Sequence, residues 1–247
     1  MTELEYVKKF KVGPLMCDYN LRLFPAEVFR SLQITADEHV NDLGFGGYAM
    51  ADMGYSWVLI RTELWMEEYP KYDEEYSVYT ATSETRHSVY PRYFEIRNAG
   101  QKVIGRAITL WVVFDNKKRA MLSEKESGIT VGAALSKNEI PKIPPAPKPL
   151  KEGNITMSRR TVKYCDLDMV GHMNNTHYID WLTDAFCWTR YKKAQFSHIL
   201  IGYSEETKPE TTLDLELKEN GSEFSFGDVT EGEQHFIING TWQEFVD

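Results

Sequence analysis

The run from Tyr6 to Val12, with Tyr6, Val7, Phe10 and Val12 set among three lysines, is a strand candidate. The pattern then changes. Val28, Phe29, Leu32, Ala36, Val40 and Leu43 fall along one face at helical spacing. A helix is therefore predicted to start at Pro25, whose fixed φ suits the first helical position, and to stop at Gly44, Gly46 and Gly47. Four strand-like runs follow: Tyr55 to Met66, Glu75 to Thr85, Pro91 to Arg97 and Lys102 to Phe114. Asn98-Ala99-Gly100 reads as the hairpin turn between the last two.

The same order then recurs. Arg159 to Tyr164 is a strand candidate, and a helix is predicted from Asn175 to Lys193, with Ile179, Leu182, Ala185, Phe186 and Thr189 near one face. Strands are predicted at Ile199 to Glu206, Leu213 to Lys218, Phe224 to Val229 and His235 to Asn239, with Asn220-Gly221 as a hairpin signal. Between the two halves runs Ile140-Pro141-Lys142-Ile143-Pro144-Pro145-Ala146-Pro147-Lys148-Pro149-Leu150. Its prolines remove backbone donors and favour an extended, semi-rigid strap. The expected organisation is a domain over 1–127, a proline-rich linker over 128–150 and a second domain over 151–247. Strand, long helix and antiparallel strands appear once on each side, which predicts two copies of one α+β unit, a mostly apolar helix wrapped by a curved antiparallel sheet. Trp57, Trp65, Trp111 and Trp181 supply bulk for the cores or for an apolar cavity.

At 247 residues with 42% hydrophobic content the chain is long and apolar enough to bury proper cores. No apolar run approaches the roughly 20 residues of a membrane span, and the first ten residues lack an apolar signal core, so a cytoplasmic protein is expected. The net charge of −9 argues against nucleic acid as a partner. An acidic protein partner would need a local basic patch; Arg159-Arg160 with Lys163, and Arg190 with Lys192-Lys193, are candidates, or else ordinary solvated faces. Cys17, Cys165 and Cys187 are scattered, which fits a reducing compartment. With no CxxC pair and no HExxH helix, neither a metal nor a cofactor is expected.

The richest chemistry lies in Asp166-Leu167-Asp168-Met169-Val170-Gly171-His172-Met173-Asn174-Asn175, directly before the second predicted helix. A carboxylate and an imidazole at a helix N-terminus can orient water beside a polarised carbonyl. That combination suits hydrolysis of an ester or thioester without a covalent intermediate. Backbone N–H groups near Asn174 and Asn175 are candidate oxyanion donors. Plainer roles also exist: Asp168 as a turn residue, His172 as a structural histidine, Asn174 and Asn175 as helix caps. Cys165 reads as a nucleophile or, by preference, as a small buried apolar side chain. Gly202-Tyr203-Ser204-Glu205-Glu206 begins like a serine nucleophile elbow but lacks its second glycine.

Asp166-Leu167-Asp168 through His172-Met173-Asn174-Asn175, with Tyr178-Ile179 and Trp181, resembles the main motif of the acyl-acyl carrier protein thioesterases of plant plastids and bacteria. Met53-Gly54-Tyr55-Ser56-Trp57-Val58-Leu59-Ile60-Arg61 and Trp111-Val112-Val113-Phe114-Asp115 resemble strands of that family's N-terminal domain, so the likeness spans nearly the whole chain. The resemblance implies two tandem hotdog domains: an N-terminal one that binds the acyl tail and a C-terminal one that is catalytic. It places Asp168 and His172 at the acidic and imidazole positions of the catalytic motif. The residue two after the acid, often asparagine in the family, is Val170, which cannot hold water by hydrogen bonding. The family's further acid matches Glu206, in Tyr203-Ser204-Glu205-Glu206-Thr207; on a strand only one of Glu205 and Glu206 would face the site. Plant members often have cysteine next; Thr207 stands there, which argues against a thiol nucleophile at that position.

The implied activity is hydrolysis of fatty acyl thioesters on acyl carrier protein, with Glu206 as base and Asp168 and His172 orienting water and thioester. Asp168 is the second candidate for the base. An acyl-CoA thioesterase is the near alternative, a hotdog dehydratase or hydratase the rival from another enzyme class, and a lipid-sensing or acyl-binding module the non-catalytic one. Two domains in one chain can fill a hotdog dimer's role, so an oligomer is possible but not required.

Overall fold

The computed structural model describes residues 4–136, 138–232 and 234–245. The chain forms two compact units, Met1–Pro144 and Pro145–Asp247. In the first, β1 (Glu5–Lys11) leads to helices α1 (Pro25–Asp42) and α2 (Gly47–Asp52) and then to β2 (Tyr55–Met66), β3 (Glu75–Thr82), β4 (Val89–Asn98) and β5 (Val103–Asp115). A short β6 (Ala120–Leu122) pairs with β5, and α3 (Glu124–Ser127) follows. The sheet is antiparallel in the order β1-β3-β4-β5-β2.

The α1 helix starts at Pro25 and buries Val28, Phe29, Leu32 and Ala36, while Val40 and Leu43 are half-buried. Its buried face also carries Ser31, Thr35 and His39. Each has a partner: Ser31 Oγ lies 2.6 Å from the Tyr76 hydroxyl, Thr35 donates to the Ser31 carbonyl, and His39 Nδ1 is 2.7 Å from Arg92 Nη1. Buried polar groups persist when they are paired, and a purely apolar reading of this face passes over them. Gly44 follows the helix in the left-handed region at φ +83°, a common helix stop. The next helix, α2, is absent from the sequence expectation; Met50 anchors it in a cluster with Tyr90, Val113 and Leu122.

The proline-rich stretch is packed rather than free. Ile140 and Ile143 lie with Tyr93, Ile108 and Leu110, and Arg61 Nη1 donates to the Pro144 carbonyl at 2.7 Å. Within the second unit, Lys148 and Asn239 exchange two hydrogen bonds of 3.0 and 2.8 Å, and Leu150 N–H donates to Ser225 Oγ.

The second unit contains β7 (Asn154–Thr161), α4 (His177–Ala185), β8 (Ala194–Tyr203), β9 (Thr212–Asn220), β10 (Glu223–Asp228) and β11 (Phe236–Glu244). Its sheet is antiparallel in the order β7-β9-β10-β11-β8, the same succession as in the first unit. The α4 helix is shorter than the Asn175-to-Lys193 expectation. Phe186 leaves helical backbone at φ −95°, ψ 152°, and its ring packs edge-on against Phe224 at 5.1 Å and Trp242 at 4.9 Å. A short 3-10 turn, Arg190–Lys192, replaces the last turns. There Arg190 stacks over Trp242 and pairs with Glu219. Aromatic burial thus outweighs continued helix. Phe224 is 1% exposed, so Phe224→Ala should cost about 3–5 kcal/mol, measured by urea unfolding. Gly240 makes room for that ring: an added Cβ would sit 2.3 Å from Phe224 Cζ. The hairpin after β9 is offset by one from the sequence reading. Asn220 pairs with Glu223, and Gly221, at φ +63°, opens the turn.

The duplication extends to single hydrogen bonds. Asp18 N–H donates to the Arg22 carbonyl, and its Oδ1 accepts from the N–H groups of Asn20 and Arg22. Asp168 N–H donates to the His172 carbonyl, and its Oδ1 accepts from Val170 and His172. Leu23 N–H meets the Pro70 carbonyl as Met173 N–H meets that of Thr207. The N–H groups of Glu67 and Glu68 converge on the Ile104 carbonyl, as those of Ser204 and Glu205 do on His235.

Candidate active site

The loop from Asp168 to His172 is a tight turn closed by Asp168. One carboxylate oxygen takes two N–H groups, at 2.9 Å from Val170 and 3.2 Å from His172, and Gly171 adopts φ +84° to complete it. This fixes the backbone of His172. Its Nε2 lies 3.5 Å from Glu206 Oε2, with the two side chains 28% and 36% exposed, so both are open to water and substrate. Glu206 is not on a strand: β8 ends at Tyr203, and Ser204 to Thr207 form an irregular connection. Strand alternation therefore does not choose between the two glutamates. The connection itself does, bringing Glu206 to His172 and leaving Glu205 exposed.

Thr207 sits where the two segments meet. Its carbonyl accepts Met173 N–H at 2.9 Å, and its hydroxyl lies 2.7 Å from the Tyr178 hydroxyl on α4. Burial pushes the Tyr178 phenol up to about 12, against a smaller lowering by Thr207, so it stays protonated at neutral pH. Nearby, buried Asp228 takes Thr230 N–H and Oγ–H on one oxygen and His235 N–H and Nδ1 on the other. Burial would raise this carboxyl, but those donors hold it below its ordinary value. None of Tyr178, Thr207, Asp228 and His235 is singled out as functional by the sequence motif. The signal for them is the comparison of the two halves, position by position.

Asn174 is committed to local structure. Its N–H donates to the Asp166 carbonyl, and its Oδ1 accepts from Thr176 N–H and Oγ1. The His177 N–H is also used, by the Asn174 carbonyl. The Asn175 N–H makes no hydrogen bond among the described residues and is an available donor at this helix start. The Asn175 carbonyl accepts from the Tyr203 hydroxyl.

Cys165 is exposed rather than buried, because it falls in the surface 3-10 turn Tyr164–Asp166. No hydrogen bond ties it to His172. Cys165→Ala should keep at least about half of any turnover, measured under reducing conditions. The basic candidates are largely engaged: Arg159 with Asp214, Arg160 with Asp184, Lys163 with Glu210 and Arg190 with Glu219, while Lys192 lies over the Trp188 ring. Such exposed pairs add little stability, and they reduce the local positive field at both patches.

In the first unit the same loop carries Arg22 at the place of His172, and buried Tyr69 at the place of Glu206. The imidazole–carboxylate pair belongs to the second unit alone.

Two family models match this chain: the acyl-ACP thioesterase N-terminal domain over residues 3–127 and the acyl-ACP thioesterase C-terminal domain over residues 150–244. The chain belongs to the acyl-ACP thioesterase family, and its fold is two tandem hotdog domains. It is 23% identical over 238 residues to the chloroplastic dodecanoyl-[acyl-carrier-protein] hydrolase of Cinnamomum camphora, covering 91% of this chain and 61% of the relative. It is 24% identical over 228 residues to oleoyl-acyl carrier protein thioesterase 2 of Arabidopsis thaliana, covering 85% and 61%. The chain thus spans about three-fifths of the length of these curated relatives. Among solved structures, an acyl-ACP thioesterase from Bacteroides thetaiotaomicron superposes with a TM-score of 0.83 at 23% identity, covering 98% of this chain and 100% of the other. The 12:0-ACP thioesterase of Umbellularia californica gives 0.80 at 19% identity, covering 98% of each.

Proposed function

We propose that this protein hydrolyses fatty acyl thioesters carried on acyl carrier protein and releases free fatty acid. Membership of the family supports the reaction class, and the names of the relatives support the carrier. The observation that carries the reading is the water-accessible His172–Glu206 pair at 3.5 Å beside the start of α4. Glu206 takes a proton from water as the oxygen attacks the thioester carbonyl. His172 orients that water and the thioester. The oxyanion forms at the Asn175 N–H, with the helix start adding partial positive charge. Collapse breaks the carbon–sulfur bond, and the proton returns to the departing sulfur, which leaves as the carrier's thiol.

Asp168 acts as a positioning residue on this reading rather than as the base. Its Oδ1 is spent on two backbone N–H groups, and Asp18 makes the same turn in the unit without the pair. Asp168→Ala should therefore lower turnover by about 10²-fold, the scale of a misplaced reacting group. Asp168→Asn, which keeps the acceptor oxygen, should lower it less; kcat for the two variants checks this.

The N-terminal hotdog domain binds the acyl tail and the C-terminal domain carries the chemistry on this reading. Purified full-length protein, assayed for free thiol against matched acyl carrier protein and CoA thioesters of several tail lengths, tests it. Turnover of the carrier-protein thioesters at the higher kcat/KM is expected. Preference for CoA would make it an acyl-CoA thioesterase. Hydration of an enoyl thioester with no thiol release would make it a hydratase, and tight binding without turnover a binding module.

A further inference from the structure

The two units offer an internal comparison, because their backbone hydrogen bonds correspond residue for residue. Phe24 N–H bonds the Met16 carbonyl and Glu27 N–H that of Phe24, as Asn174 N–H bonds that of Asp166 and His177 N–H that of Asn174. This places Val28 at the position of Tyr178. The Leu23–Pro70 and Met173–Thr207 bonds place Pro70 at the position of Thr207. Met66 pairs with Gly105 as Tyr203 pairs with Phe236, so Ile104 corresponds to His235. Ile96 pairs with Gly105, and Asp228, one step beyond the Gly227–Ile237 pair, stands opposite Phe236; Ile96 therefore corresponds to Asp228.

The first unit fills all four positions with buried apolar residues: Val28, Pro70, Ile96 and Ile104. The second fills them with Tyr178, Thr207 and Asp228, each at most 3% exposed, and His235, whose side chain is 13% exposed. Burying polar groups costs free energy even when they are paired, and apolar replacement of such groups is often neutral or stabilising. The fold evidently closes at these positions without them. The polar set occurs in the unit that holds His172 and Glu206, and it lies directly behind them. Thr207 follows Glu206 in the chain, and its carbonyl holds the N–H of Met173, which follows His172. The Tyr178 hydroxyl pins the Thr207 side chain at 2.7 Å. The His235 carbonyl takes the N–H groups of Ser204 and Glu205 at the start of the segment that carries Glu206, while its imidazole is clamped by Asp228 at 2.7 Å.

We propose that Tyr178, Thr207, Asp228 and His235 are positioning residues, a buried polar support that holds Glu206 in register with His172. This rests on the reading that those two side chains carry the reaction. The support acts through Thr207 and the connection from Ser204 to Glu206, not by touching substrate.

The test compares the full-length wild-type chain with Tyr178→Phe/Thr207→Val and with Asp228→Ile/His235→Ile, the latter copying the first unit. Steady-state kcat and KM on one acyl carrier protein thioester are measured with thermal unfolding and amide hydrogen exchange. Both variants should fold. Their kcat should fall by about 10–10²-fold, with KM within about threefold of wild type. Met173 N–H should exchange at least about tenfold faster in Tyr178→Phe/Thr207→Val, with Leu23 N–H, its counterpart in the first unit, unchanged as the internal control. A single Thr207→Val should also lower kcat, and Thr207→Ser, which keeps the hydroxyl, should retain most of the wild-type kcat. Folded variants with wild-type kcat would overturn the proposal. So would failure of either to fold, since the group would then be a requirement of the fold itself. A wild-type chain inert toward thioesters would refute the proposed activity instead; the exchange of Met173 then decides the support alone, and an unchanged rate overturns it.

Discussion

Glu206→Gln should lower kcat by about 10²–10⁴-fold, the range for loss of a general base, while KM changes little. Glutamine keeps the size of the side chain and an acceptor oxygen for His172 or water. It cannot accept the proton that water must shed as it attacks. Because the Glu206 side chain is 36% exposed, the variant should unfold at nearly the wild-type temperature. Lost turnover would then report chemistry rather than folding. Glu205→Gln serves as the neighbouring control. Glu205 is exposed on the same connection, and its replacement should leave kcat nearly unchanged. The reverse pattern, with Glu205→Gln inactive and Glu206→Gln active, would assign the base to the wrong residue here. Release of free thiol under saturating substrate is the measurement.

His172→Ala should reduce kcat by about 10²-fold or more through loss of the group that orients water against the carbonyl. The loop should survive this change. Its closure depends on the backbone N–H of residue 172 and on Asp168 Oδ1, not on the imidazole. Circular dichroism and thermal unfolding should match wild type, separating this variant from Asp168→Ala, which removes the turn's acceptor. A His172→Ala protein that is folded and fully active would remove the imidazole from the mechanism.

The doubled architecture was legible because the same order is written twice: strand-like runs bounded by turn residues, a helical face such as the one beginning at Pro25, and the prolines between the halves. The loop from Asp168 to Asn175 was legible because acids, a histidine and asparagines are unusual together before a helix. Other features were hidden for physical reasons. The α4 helix stops at Ala185 because Phe186 gains more by entering a cluster with Phe224 and Trp242 than by continuing the helix, a tertiary preference that local pattern does not carry. Ser31, Thr35 and His39 on the buried face of α1 look like interruptions until Tyr76 and Arg92 are seen across from them. Glu206 approaches His172 on an irregular connection, so the period-two argument, which allowed only one of Glu205 and Glu206 to face the site, does not apply; Glu206, matched by the family resemblance, is the one beside the imidazole. Asp228 and His235 come together over seven residues in a way that only the strand register reveals.

The central claim is that water attacks the thioester directly, with Glu206 as base and no acyl-enzyme intermediate. A single turnover in water enriched in oxygen-18, with enzyme in excess over acyl thioester, tests it most directly. Direct attack predicts that the first fatty acid released carries one heavy oxygen and that the protein remains unlabelled. Unlabelled fatty acid from that first turnover, with heavy oxygen retained on Glu206, would show that the carboxylate had attacked the carbonyl itself and would contradict the account.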